Sequence, residues 1–260
     1  MITNDDIAFA HRLADAAADI ARRYFRTGVA IDDKDDASPV TIADREAERV
    51  MREIIAKERP QDGVIGEEFG KDRPGASRVW VLDPIDGTKA FISGNPVFGS
   101  LIGLAVDGGP ALGVIECPAL AERWVGATGH PTIFRDRHGA TKPARVRPCP
   151  DLAHAALYSQ APLSGTATFA GMDALRKAVK RPMHVCDCYA YGLLSSGTVD
   201  LVVEAGLGIY DIVALVPVIE NAGGTILDWR GRTVTLDTDG RVIAAGDKRL
   251  QAPARALLAG

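Results

Sequence analysis

Apolar residues recur along this chain with two spacings, and the change from one to the other marks its elements. From Asn4 to Tyr24 they fall at Ile7, Leu13, Ala17, Ile20 and Tyr24, the 3.6-residue rhythm of a helix with one apolar side. Asn4 is placed to cap that helix, and Gly28 lies just past its end. The run Asp32-Asp33-Lys34-Asp35-Asp36 then reads as a solvated, mobile loop. A second helix is expected over 43–58, with Ala47, Val50, Ile54 and Ile55 on one face and Asp44 near its start. Beyond it, unbroken apolar runs replace the helical spacing. Gly63-Val64-Ile65-Gly66 and Val79-Trp80-Val81-Leu82 read as buried strands, separated by a loop at 70–75.

Ser100–Val106 and Ala111–Glu116 read as strands joined by Asp107-Gly108-Gly109-Pro110, a strong hairpin signal, and a strand over Arg123–Ala127 follows. Such antiparallel pairs argue against an all-parallel dinucleotide-binding sheet. After Pro148–Pro150 the texture changes. A strand is expected near Ala155–Ser159, helices near Thr166–Val179 and Cys188–Ser195, and a buried strand at Leu201–Val203. Asp211 opens the helical pattern Ile212, Leu215, Val216, Ile219; a hairpin around Gly231 and Asp239-Gly240 and a terminal helix after Asp247 complete the chain. The proline cluster divides it into lobes 1–148 and 149–260.

With 260 residues, 47% of them hydrophobic, the chain can bury a substantial core. A net charge of −4 and the lack of a basic run interleaved with aromatics exclude a nucleic-acid binder. The N-terminus is acidic, and its alanine-rich stretch is broken by Arg12, Asp15 and Asp19, so neither a signal peptide nor a membrane span is expected and a cytoplasmic location is. Cys117, Cys149, Cys186 and Cys188 lack zinc-site spacing and read as buried, reduced thiols. His11, His130, His138, His154 and His184 form no cluster, which disfavours a histidine-based site.

The chemistry concentrates in Asp83-Pro84-Ile85-Asp86-Gly87-Thr88, where two carboxylates follow a buried strand. Ionised carboxylates about 4 Å apart repel by roughly 4 kcal/mol at an effective dielectric of about 20, and a cation relieves that. Hard oxygen ligands point to Mg²⁺ or Ca²⁺, and the layout suits a metal-bound phosphate. The same residues are equally good turn chemistry. Glu67-Glu68 end the preceding strand, and Asp211 follows a glycine-rich turn, where a helix cap is its ordinary role. Gly87 and Thr88 would offer amides at the start of a helix running through Phe91, an anion site that is compatible with Thr88 acting as its cap.

Gly66-Glu67-Glu68, Trp80-Val81-Leu82-Asp83-Pro84-Ile85-Asp86-Gly87-Thr88 and Tyr210-Asp211 with Ala222-Gly223-Gly224 together resemble the ordered motifs of the inositol monophosphatase superfamily. The resemblance spans Asp44 to Gly224. It implies an α/β (α+β) fold of layered αβαβα type with mixed, largely antiparallel sheets. It further implies a homodimeric, lithium-sensitive phosphatase of small phosphate monoesters that uses two or three Mg²⁺ ions. In that family the residues matching Glu67, Asp83, Asp86, Asp211 and the Ile85 carbonyl hold the metals. Those matching Glu67 and Thr88 orient the attacking water, and the one matching Asp44 helps place a third, weaker metal; on its own, Asp44 reads as a first-turn helix acid.

Inositol monophosphatases typically read D-G-T-x-N-F and W-D, whereas this chain has Asp86-Gly87-Thr88-Lys89-Ala90-Phe91 and Tyr210-Asp211. With Phe98–Ile102, Glu122–Gly126 and Tyr210–Pro217, it looks most like the histidinol-phosphatase branch. The alternatives are inositol-1-monophosphatase, 3′-phosphoadenosine 5′-phosphate phosphatase and, from another class, a non-catalytic regulator with a structural Ca²⁺ site. Histidinol phosphate is cationic at one end, so its pocket should offer carboxylates beyond the metal ligands. Glu204, seven residues before Asp211, and Asp187 match the branch's substrate region, and Gly87, Thr88 and Asp211 complete the expected substrate contacts. Alone, Glu204 reads as a solvated strand-end acid and Asp187 as a helix cap.

Overall fold

The computed structural model describes residues 1–33, 39–159, 167–184 and 186–259. Its first two helices start alike. In α1 (Asn4–Tyr24) the Thr3 hydroxyl accepts from the Asp6 amide while the Asp6 carboxylate takes the Thr3 amide. Thr3 therefore caps the helix in place of Asn4, because a threonine with an acid three residues on satisfies two orphan amides at once. A short pair, β1 (Ile31–Asp33) and β2 (Pro39–Thr41), precedes α2 (Ile42–Glu58), where Asp44 reaches back to the Thr41 amide in the same way. Of the charge run, Asp32 and Asp33 are thus in a strand, and residues 34–36 lie outside the described residues.

The strands β3 (Gly63–Gly66), β4 (Gly70–Asp72) and β5 (Arg78–Asp86) come next, then helix α3 (Thr88–Ser93). They continue as β6 (Gly99–Val106), β7 (Gly109–Cys117), β8 (Glu122–Ala127), β9 (His130–Arg135) and β10 (Thr141–Pro143). All eight join one sheet in the order β10-β9-β8-β7-β6-β5-β3-β4, antiparallel except for β3 beside β5. Alternation along β5 serves both faces. Trp80 and Leu82 pack with Phe9, Leu13, Ala47 and Met51 from α1 and α2, while Val79 and Val81 pack with Val213 on the opposite side.

The rest of the chain builds a second sheet and two helical layers. In order, β11 (Ala156–Ser159), α4 (Ala167–Ala178), β12 (Arg181–His184), α5 (Tyr189–Ser195), β13 (Leu201–Glu204), α6 (Ile209–Ile212), α7 (Leu215–Glu220), β14 (Thr225–Asp228), β15 (Val242–Ala245) and α8 (Gln251–Leu258) follow. The strand order is β12-β11-β13-β15-β14, with parallel pairs on either side of β11. Helices α5, α6 and α7 fill the space between the two sheets, and α4 and α8 cover the far face of the smaller one. This is the expected αβαβα layering. The hairpin expected at Gly231 shrinks to an isolated bridge between Leu227 and Thr233, since β14 takes its main partner from β15.

Three glycines let the middle layer lie directly on the large sheet. Gly103, Gly113 and Gly126 stand side by side in register on β6, β7 and β8. A methyl at Gly113 would overlap the Ala214 carbonyl, one at Gly126 the Pro217 carbonyl, and one at Gly103 would come within 2.6 Å of Val213. Backbone thus meets backbone, and the segment carrying Asp211 is set at a fixed height above β5. All four cysteines are free and buried. Among the described residues, no helix is long and apolar enough to cross a membrane.

Candidate active site

The carboxylates converge where β5 leaves its sheet. Asp83 pairs with Leu101 but Asp86 with Gly99, so one extra residue bulges out between them. The Ser100 hydroxyl donates to the Pro84 carbonyl at 2.7 Å and pins that bulge. Gly87 then turns the chain at φ +83°, and Thr88 opens α3 with its hydroxyl donating to the Ile85 carbonyl at 3.2 Å. Gly87, not Thr88, stands at the cap. Asp211 enters from the middle layer. It is the third residue of a helix that begins at Ile209, two residues earlier than its pattern suggests, because its carboxylate reaches back to the Gly208 amide at 2.7 Å and closes the first turn.

Asp83, Asp86 and Asp211 thereby bring carboxylate oxygens within 4.8 Å of one another. Glu67, at the end of β3, has its amide bonded to the Leu82 carbonyl at 3.2 Å, and its charge acts on both Asp44 and Asp83. Burial first, then the charges of Glu67, Asp86 and Asp211, push the Asp83 carboxyl well above the usual range. For Asp86 the causes are burial and the charges of Asp187 and Asp211. Asp83 and Asp44 each keep one buried oxygen with no hydrogen-bond partner. Crowded hard oxygens, two of them unbonded, are what a divalent cation satisfies, so this donor set fits such an ion.

A recess of about 60 Å³ opens beside the cluster, lined by Asp86, Asp187, Tyr191, Glu204 and Asp211. Asp187 sits at φ +41° and lies so close over Gly87 that a methyl there would come within 2.7 Å of its carboxyl carbon. The cap of α5 is Cys188, whose amide donates to Asp86. Asp187 is therefore no helix cap. Glu204 ends β13 and accepts the Tyr191 hydroxyl at 2.6 Å. Burial, together with the charges of Asp187 and Asp211, pushes its carboxyl up to about 7.

The profile of the inositol monophosphatase family matches residues 4–259. The chain belongs to that family. Its relatives include the bifunctional phosphatase IMPL2 of Arabidopsis thaliana, 48% identical over 92% of this chain and 71% of that protein. Histidinol-phosphatase of Mycobacterium tuberculosis is 39% identical over 88% of this chain and 90% of its own. A solved inositol monophosphatase from Zymomonas mobilis superposes with a TM-score of 0.89 at 49% identity, covering 98% of each chain. The protein is accordingly a phosphatase of the inositol monophosphatase family, acting on small phosphorylated substrates.

Within this family member the fold brings Glu67, Asp83, Asp86 and Asp211 to one place, with Asp44 at its edge and Asp187 and Glu204 on the recess. Sequence reasoning missed the groups that hold them. Tyr191 steadies Glu204, Ser100 pins the bulge, and the Cys188 amide binds Asp86, across 13, 16 and 102 residues respectively, separations that leave no local pattern. Glu48 could have been found, since it follows Asp44 by one helical turn on an otherwise apolar face.

Proposed function

We propose that this phosphatase hydrolyses L-histidinol phosphate to L-histidinol and phosphate with the help of Mg²⁺. The supporting observation is the surplus of acid: Asp187 and Glu204 line the recess beyond the carboxylates a metal centre needs. A substrate with an ammonium and an imidazole at one end would neutralise that surplus, whereas a neutral polyol would leave Glu204 with the Tyr191 hydroxyl and Asp187 with the more distant charge of Lys89. Glu67, Asp83, Asp86, Asp211 and the Ile85 carbonyl would hold two ions, with Asp44 serving a third. Bound cations would neutralise the phosphoryl oxygens and lower the pKa of a water molecule.

The chain's own groups would do the rest. Glu67 and the Thr88 hydroxyl hold the water in line with the phosphorus, and the water's proton passes to Glu67 as its oxygen attacks. The Gly87 and Thr88 amides bind a phosphoryl oxygen, and the alcohol oxygen leaves with a proton from solvent. Asp187 and Glu204, both in the 149–260 lobe, face the cationic end, while the phosphate is held by the 1–148 lobe. Hydrolysis of inositol phosphates is the second reading, favoured by the Zymomonas mobilis likeness.

Selectivity tests the proposal. Glu204→Gln should lower kcat/KM for histidinol phosphate by about one to two decades, the value of 1.5–3 kcal/mol for a bond to a charged group. Turnover of p-nitrophenyl phosphate should hardly change. Wild type preferring inositol phosphate or adenosine bisphosphate would overturn the substrate assignment.

A further inference from the structure

Helix α2 presents Asp44, Glu48 and Arg52 at four-residue intervals, so one face of the helix carries all three. Asp44 feels the charge of Glu67. Glu48 is fully buried and points at the turn that follows β3. Its Oε2 accepts the Glu68 amide at 2.7 Å, and its Oε1 accepts the Phe69 amide at 3.1 Å and the Arg52 Nε at 2.7 Å. Arg52 donates a second nitrogen, Nη2, to the Gly70 carbonyl. Helix and turn touch so closely that a methyl on Gly66 would overlap the Glu48 carboxylate.

These bonds enclose Glu67. On one side Gly66 pairs with Leu82 and the Glu67 amide bonds the Leu82 carbonyl; on the other, residues 68, 69 and 70 are each tied to α2. A buried carboxylate is costly unless it is paired and hydrogen-bonded, and Glu48 meets that cost with Arg52 and with two backbone amides of one short turn. The helix that aims Asp44 therefore also fixes the neighbour of Asp44 across the site.

We infer that Glu48, braced by Arg52, is a positioning residue that holds Glu67 at the height required for metal binding. The inference rests on the metal-dependent reading above. Its test is Mn²⁺ titration, followed by electron paramagnetic resonance, of wild type, Glu48→Gln and Arg52→Met, with circular dichroism and Tm recorded for each. Groups that hold metal ligands in place typically contribute 10–100-fold to affinity, so the Mn²⁺ Kd should rise about tenfold in Glu48→Gln.

Arg52→Met is the sharper variant. Removing a cation favours metal binding through the field alone, whereas loss of the brace weakens it, so a several-fold rise in Kd supports positioning over electrostatics. Arg52 is partly exposed, and this variant should fold even if Glu48→Gln does not. Folded variants that bind Mn²⁺ as wild type does would overturn the inference, as would tighter binding by Arg52→Met. Wild type that binds no Mn²⁺ and turns over no phosphate ester would instead overturn the metal-dependent reading itself.

Discussion

A carboxylate with one oxygen buried and unbonded, as in Asp83, has given up hydration without replacing it from the protein. Its neighbours Glu67, Asp86 and Asp211 add repulsion. Such a residue is tuned to a ligand rather than to the fold. Asp83→Asn and Asp211→Asn should each lower kcat by at least about a hundredfold, whereas Asp44→Asn, at the edge of the cluster, should only reduce it. In chelator, Asp83→Asn should melt no lower than wild type, because repulsion is relieved. Equal, mild kinetic losses at all three positions would point to a merely structural set of acids.

Glu204 makes a second prediction at this scale. Its carboxyl is pushed up to about 7 in the folded chain, so between its unfolded value near 4.3 and that value the folded state holds more protons. Stability from this group therefore falls as pH rises through about 4.5 to 7. In chelator, Glu204→Gln should flatten the pH dependence of Tm over that window; an unchanged slope would show that Glu204 is no more perturbed folded than unfolded. The residue types of the site were legible because catalysis needs clustered acids after strands. Their supports, Tyr191 and Ser100, were not, since contacts between distant positions leave no spacing to read.

At the scale of elements, what could be read was what buries its own apolar pattern. The run Val79–Leu82 announces β5, and Asp107–Pro110 announces the turn between β6 and β7. The strands β4, β10 and β12 could not be read, because their residues are exposed or nearly so and they are strands only by virtue of the partner beside them. The glycine row on β6, β7 and β8 likewise looks like weak strand sequence until Ala214 and Pro217 are seen lying on it. Gly113→Ala should cost about 1–3 kcal/mol or more, since the atom it meets is backbone and cannot swing aside. Gly75→Ala, where nothing lies within 4 Å, should be nearly neutral. Urea midpoints compare the two, and equal stability would mean that the middle layer can lift off the sheet.

At the scale of the molecule, the apolar clusters between the layers extend far beyond the acid cluster, which one of them meets at Leu101, Cys188, Tyr191 and Leu215. A core of that size should stand without metal. Chelation should therefore abolish turnover while leaving far-UV and near-UV circular dichroism intact, and added Mg²⁺ should restore activity; a cooperative loss of near-UV signal in chelator would show that the ions hold the fold together. The layered architecture itself was legible mainly through the family motifs, because pattern alone does not say which helices lie between two sheets.

The acid cluster draws Asp83 and Asp86 from β5 and Asp211 from α6, on opposite sides of the Pro148–Pro150 stretch. Neither half of the chain can assemble the site by itself. The glycine row fixes the register in which the two halves meet, so the spacing of the acids is written jointly by both ends of the chain, like a key cut from two blanks.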